Sequence, residues 1–281
     1  MNRRISTALI FLLVLSGCAT HPPSHPSRVD LSGARNLRDV GGYATLDSKH
    51  VKKGVLYRSD HLAELRPSDL DVFATLGVKR VFDLRSKGEI EGDPNRLPKD
   101  GTIEVVELPM YFPSMDPALM QRKILAGDVK KGEFHQLMMD AYRHFALEER
   151  PQLATILSDF SKPGSLPALI HCTHGKDRTG ITVAVTLRAV GVPQETVVHD
   201  YMLSNKFWKS EVSRLSCLAS CASFFRTPRD EVRALLEVRP EYLEAAFAAI
   251  DQHYGSFDNY LEQGLGMDEE TLEKLRAALL Q

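Results

Sequence analysis

The segment His171-Cys172-Thr173-His174-Gly175-Lys176-Asp177-Arg178-Thr179-Gly180 sets a thiol and a guanidinium six positions apart, with a glycine between them and another just beyond. Before it comes Ala168-Leu169-Ile170, a short apolar run of the kind found in strands buried on both faces. After it, Ile181 to Val190 is almost continuously apolar at helix length. A loop between such a strand and such a helix turns successive backbone N–H groups inward. The helix adds the positive end of its dipole, and together they make a nest for a tetrahedral oxyanion. The same field favours the thiolate form of Cys172. Arg178 supplies a planar fork for two phosphate oxygens, a geometry lysine cannot copy. A thiolate attacking phosphorus there would form a cysteinyl phosphate that water then hydrolyses. That chemistry calls for no cofactor and no metal.

On these residues the chain resembles the Cys-X5-Arg phosphatases. More narrowly it is similar to the bacterial and fungal tyrosine and dual-specificity phosphatase group whose loop reads His-Cys-x-x-Gly-Lys-Asp-Arg-Thr-Gly. Asn36-Leu37-Arg38-Asp39, Leu56-Tyr57-Arg58-Ser59 and Asp83-Leu84-Arg85 match that group's landmarks before the loop. Asp200-Tyr201-Met202-Leu203-Ser204-Asn205 and Tyr254-Gly255-Ser256 match landmarks after it. The resemblance implies a protein tyrosine phosphatase-like fold and a nucleophilic Cys172 with Arg178 as phosphate clamp. It implies phosphotyrosine protein as substrate, with phosphoinositides as the alternative within the same fold. Thr173, His174, Gly175, Lys176, Thr179 and Gly180 become the expected substrate-binding remainder of the loop. Lys176, with His174 when protonated, would put positive charge at the loop rim, and Thr179 would assist phosphate release or cap the helix. His171 reads as a loop-orienting residue, and Arg38, Arg58 and Arg85 as scaffold ion pairs.

Departure of the leaving oxygen needs a proton. Asp177, inside the loop as in similar proteins, is the first choice for the acid. Asp116, on the loop after the Thr102 run, and Asp83 are the reserves. Asp140 has the spacing at which many relatives carry an acid on a separate loop, but it falls in a helical stretch and reads as a surface residue.

The elements that must hold this loop follow from periodicity. Gly54 to Arg58, Val78 to Leu84 and Thr102 to Leu108 are strand-length runs, the latter two rich in β-branched residues. Arg66-Pro67-Ser68 opens a helix with Leu70, Phe73 and Leu76 on one face and Gly77 as its stop. Asp116 to Phe160 turns helical with a break near Gly127. Helices are expected after Thr227-Pro228, from Pro240 to Ile250 and from Asp268 onward. Strands alternating with helices early and helices alone late predict an α/β fold, a central, mostly parallel sheet flanked by helices with a helical C-terminal half.

The N-terminal residues bear on location. Arg3-Arg4 precede an apolar stretch, Ile5 to Leu15, too short to span a bilayer comfortably. Leu15-Ser16-Gly17-Cys18 resembles a bacterial lipobox, so residues 1–17 read as a lipoprotein signal peptide and Cys18 as the lipidated residue. Residues 18–30 read as a tether and 31–281 as a single phosphatase domain. Ala19 after the cysteine predicts sorting to the outer membrane. Two of the 35 Lys+Arg precede Cys18, so the cleaved chain would carry 33 against 37 Asp+Glu, a balance that argues against nucleic-acid binding by bulk charge. Cys217 and Cys221 are four apart and would share a helical face, bridged or as small apolar neighbours. Two other readings fit a cysteine-based anion loop. Sulfurtransferases and arsenate reductases would not need Lys176-Asp177 or Thr179, and a non-catalytic phosphate-binding lipoprotein would not need the intact Cys172–Arg178 pair.

Overall fold

The structure, a computed structural model, describes residues 28–99 and 101–281. The predicted signal peptide, Cys18 and most of the predicted tether lie outside the described residues. Five strands form one sheet: β1 (Arg38–Asp39), β2 (Leu56–Ser59), β3 (Arg80–Asp83), β4 (Glu104–Glu107) and β5 (Ala168–His171). Their order is β1-β2-β5-β3-β4, parallel throughout except for the antiparallel β1–β2 edge. The helices are α1 (Pro67–Thr75), α2 (Lys87–Gly92), α3 (Pro117–Ala126), α4 (Glu133–Leu147), α5 (Arg150–Phe160), α6 (Arg178–Ala189), α7 (Gln194–Ala222), α8 (Arg229–Leu236), α9 (Pro240–Tyr254), the single turn α10 (Phe257–Asn259) and α11 (Glu269–Leu279). The mixed α/β class and the helical second half agree with the sequence reading.

β5 is the reason the site exists where it does. It lies between β2 and β3, and all four of its residues are buried. Alternation along a strand sends Leu169 to one face and Ala168 and Ile170 to the other. Leu169 joins Tyr57, Phe73 and Val81 under α1, while Ile170 joins the larger core of α4, α5, α6 and α9. Burying each large apolar side chain contributes about 1.5–3 kcal/mol, so the end of β5 is a rigid platform. α6 leaves that platform with ten of its twelve residues buried, as expected of the apolar run after the loop.

Several boundaries follow their punctuation. Gly77 follows α1 in the left-handed region at φ +63°, and Gly127 ends α3 at φ +67°. Asp268 caps α11 by accepting from Thr271 N at 2.8 Å. Thr227 does not cap α8 as its sequence position suggested; Pro228 is the cap residue, and the Thr227 hydroxyl donates to Ile124 O at 2.7 Å, tying α3 to the α7–α8 turn. The turn-rich Asn36 to Tyr43 segment also contains β1, which the turn formers concealed. Cys217 and Cys221 share a face of α7 as neighbouring free thiols, unbridged and exposed to solvent.

Candidate active site

Cys172 follows the last residue of β5 and is 3% exposed, at the floor of the segment that leads into α6. Among the described residues, no backbone N–H from Thr173 to Arg178 donates to a protein acceptor. Buried N–H groups are nearly always satisfied, so a run of free ones around one point is a site prepared for an anion. Gly175 allows the turn. Its φ is +64°, and a Cβ there would sit 2.3 Å from Ser59 O.

The loop carbonyls point outward into a buried polar brace. Asn36 Nδ2 donates to His174 O at 3.2 Å and Gly175 O at 2.9 Å, and Arg58 donates to Gly175 O at 2.9 Å. Arg58 also meets Asp200 Oδ2 at 2.6 Å, and Arg38 meets Asp200 Oδ1 at 3.3 Å. All three charged groups are essentially unexposed. Burial alone would raise the Asp200 pKa, but the two guanidiniums outweigh it and the net shift is downward. Burial and the neighbouring Arg58 lower the Arg38 pKa to about 10, which still leaves it charged at neutrality. Arg38 and Arg58 are thus scaffold groups, as read from the sequence.

Arg178 is the first residue of α6, and its guanidinium is gripped from one side by Glu89. Its two terminal nitrogens lie 2.8 and 2.7 Å from the two Glu89 oxygens, with Leu84 O and Thr173 Oγ1 both at 3.2 Å. Burial acts to raise the Glu89 pKa, but Arg178 and Thr173 reverse it and hold the carboxyl well below the usual range. Glu89 was missed in the sequence. The signal available was Ser86-x-x-Glu89, a capping box, and the structure forms it at the start of α2.

Asp177 is the N-cap position of α6, and both carboxylate oxygens are occupied. Tyr142 Oη donates to Oδ1 at 2.9 Å and Lys176 Nζ lies 2.6 Å from Oδ2. Tyr201 Oη donates in turn to Tyr142 Oη at 2.7 Å.

A model of a tyrosine phosphatase family matches residues 29–281 of the chain. The chain belongs to the tyrosine phosphatase family. It is 33% identical over 237 residues to a Cupriavidus necator protein described as a candidate tyrosine-protein phosphatase, covering 83% of this chain and 82% of that one. It is 32% identical over 282 residues to the triple specificity protein phosphatase PtpB of Mycobacterium tuberculosis, covering 89% of this chain and 98% of that one. The solved structure of P. aeruginosa TpbA in complex with phosphotyrosine aligns over 77% of this chain and 98% of that one, at a TM-score of 0.33 and 19% identity. Membership makes the chain a phosphoric monoester hydrolase of the tyrosine phosphatase kind.

Within this phosphatase the expected site residues separate into two sets. Cys172, the loop backbone, Arg178 and Asp177 come together at one end of β5. The other loop side chains do less at the rim than their positions suggested. Lys176 is 4% exposed and its ammonium is spent on Asp177 and on Leu235 O at 2.9 Å, so it is not a rim cation. Thr173 gives its hydroxyl to Glu89. Thr179 and Gly180 are buried in the first turn of α6. The Thr179 hydroxyl caps nothing and has no partner among the described residues, and Gly180 admits the Tyr201 ring, 3.0 Å from where a Cβ would stand. His174 does reach the mouth, where it is exposed and lies edge-on to Trp208 with ring centroids 5.1 Å apart.

Of the reserve acids, Asp83 is buried and tied to Arg85 and to Asn95 Nδ2 at 2.9 Å, with His171 Nε2 3.4 Å away. It is a scaffold anion, and Arg85 is its scaffold partner. Asp116 caps α3 by accepting from Leu119 N at 2.8 Å. Asp140 is exposed on α4 beside Arg143, the surface role read from its helical stretch. Burial lowers the His171 pKa to about 4, which leaves the ring neutral under the loop, in keeping with an orienting role. Among the described residues no cluster of His, Cys, Asp or Glu is arranged to hold a metal ion.

Proposed function

We propose that the chain hydrolyses phosphate monoesters through a cysteinyl-phosphate intermediate, with phosphotyrosine in proteins as its principal substrate. The observation that carries this is the free N–H run from Thr173 to Arg178 above Cys172, closed on one side by the Glu89-held guanidinium. In the first step Cys172 Sγ attacks phosphorus, the bond from phosphorus to the leaving oxygen breaks, and Asp177 gives that oxygen its proton. In the second step a water gives a proton back to Asp177 and attacks phosphorus. Inorganic phosphate leaves and the thiolate returns. Arg178 and the loop N–H groups bind the equatorial oxygens, where negative charge concentrates in both transition states.

The ranking of aryl phosphate over phosphoinositide rests on the rim. Lys176 is turned inward, away from a polyanionic headgroup, while His174 and Trp208 form an aromatic wall suited to a phenyl ring. The PtpB relative is named for triple specificity, which is the reason to test both classes. Replacing Cys172 with Ser should abolish turnover with the fold intact, and rapid quenching of the wild-type enzyme should trap phosphate on Cys172. Turnover above a trace in the serine variant would refute the nucleophile. A specificity constant for a phosphoinositide well above that for phosphotyrosine peptides would reverse the ranking. We also propose that Cys18 carries a lipid that anchors the chain to the cell envelope, on the lipobox-like sequence alone.

A further inference from the structure

We propose that Tyr142 and Tyr201 form a buried two-hydroxyl relay that sets the position of Asp177 for proton transfer, making both of them positioning residues of the reaction. The inference rests on the reading of Asp177 as the acid and goes beyond it, by naming what holds the acid in place.

The three groups come from three helices. Tyr142 lies on α4, Tyr201 on α7, and Asp177 at the head of α6. Tyr142 and Tyr201 are buried to within 1% of full occlusion. Their rings pack in a T-shape at 5.9 Å between centroids, and Tyr142 touches Tyr242 at 5.8 Å. Rings so enclosed have little rotational freedom, so the position of each hydroxyl is set by the core and not by solvent.

Burying a phenol hydroxyl with no partner costs stability, and phenylalanine would fill the same space without that cost. Two tyrosines spending their hydroxyls in series on one carboxylate therefore call for a functional account. Burial, with Asp177 next, raises the pKa of both phenols well above the ordinary tyrosine value. Each hydroxyl accordingly remains a donor across the enzyme's working range. Tyr201 donates to Tyr142, and a hydroxyl that accepts one hydrogen bond donates a stronger one, which reaches Asp177 Oδ1. Oδ1 is held by the relay and Oδ2 by the Lys176 ammonium at 2.6 Å, so both oxygens of the carboxyl group are fixed in place. The relay thereby fixes the plane of the Asp177 carboxyl group at the head of α6.

The test compares kcat/KM on an alkyl phosphate or phosphotyrosine with that on an activated aryl phosphate whose oxygen departs without a proton. Tyr142→Phe should reduce the first by about tenfold, the size of one hydrogen bond to a charged group, and the second by less than about twofold. Tyr201→Phe, which touches Asp177 only through Tyr142, should show the same pattern at roughly a third of the effect. In an Asp177→Asn background Tyr142→Phe should add nothing. Thermal midpoints of all variants are read alongside. Equal losses on both substrates, or a full tenfold loss persisting in the Asp177→Asn background, would show a packing role and overturn the relay. If Asp177→Asn alone shows the leaving-group-dependent loss and Tyr142→Phe does not, the acid stands and the relay falls. If Asp177→Asn shows no such dependence, the acid assignment itself falls, and the relay with it.

Discussion

Glu89→Gln isolates the grip on the phosphate clamp. Glu89 presents its two oxygens to the two terminal nitrogens of Arg178 at 2.8 and 2.7 Å, and it simultaneously accepts from Ser86 N at 2.8 Å and Ser86 Oγ at 2.9 Å to close the capping box of α2. Glutamine retains one acceptor oxygen and can serve the capping box, so α2 should survive. What it loses is the second acceptor. Its amide NH2 group would instead face a guanidinium N–H, and the fork would swing away. Displacement of a clamping group by about 1 Å costs on the order of a hundredfold in rate, so kcat/KM should fall between about tenfold and a hundredfold, or about 1.4–2.7 kcal/mol of transition-state stabilisation. Because Arg178 serves the equatorial oxygens and not the leaving group, the loss should be equal for an activated aryl phosphate and a phosphotyrosine peptide. Steady-state kinetics on that pair, with thermal midpoints, is the assay. An unchanged or increased kcat/KM at unchanged midpoint would refute the reasoning, because it would mean that Glu89 competes with phosphate for Arg178. Glu89→Ala should add a stability loss of about 1 kcal/mol by removing the cap as well.

Asp200→Asn should lower unfolding stability by about 3–5 kcal/mol in urea titrations, because Arg38 and Arg58 would be left as buried cations without a counter-charge; a loss within the error of the titration would show that the brace is not held by charge. His171 has a folded pKa near 4 against an ordinary 6.5, so the unfolded chain takes up a proton in that window that the folded chain refuses. Stability should therefore fall as pH drops from 6.5 toward 4, with a slope approaching one proton, and His171→Gln should flatten that slope when denaturant midpoints are followed across the window. For the anchor, the wild-type chain should fractionate with membranes and label with palmitate, and Cys18→Ser should do neither; unlipidated wild-type protein free in the periplasm would dispose of that proposal.

The loop was legible in the sequence because its chemistry is local. A nest needs a thiol, glycines and an arginine within ten consecutive residues, between an apolar strand and an apolar helix, and each of those signals is written in neighbouring positions. The strand order was not, since the strands that flank β5, β2 and β3, pair with it from far along the chain, Leu56 and Arg80 both opposite Ala168. The same division explains the misjudged side chains. Lys176 looked like a rim cation because sequence gives charge but not direction, and only the arrival of α8, with Leu235 O, turns its ammonium inward. Asp83 looked like a reserve acid until Arg85, Asn95 and His171 closed around it. Asp177 could be nominated from its place in the loop, but Tyr142, 35 positions before it, is an ordinary aromatic residue in a helical pattern, and Tyr201, 24 after, stood only within a family landmark with no partner named. Glu89 could be read only as a helix cap. A side chain's type is fixed by the chain; its partner is fixed by what long-range burial leaves within about 3 Å of it, because hydrogen bonds and ion pairs act only at that range while the hydrophobic burial that sets the distances is shared over the whole core.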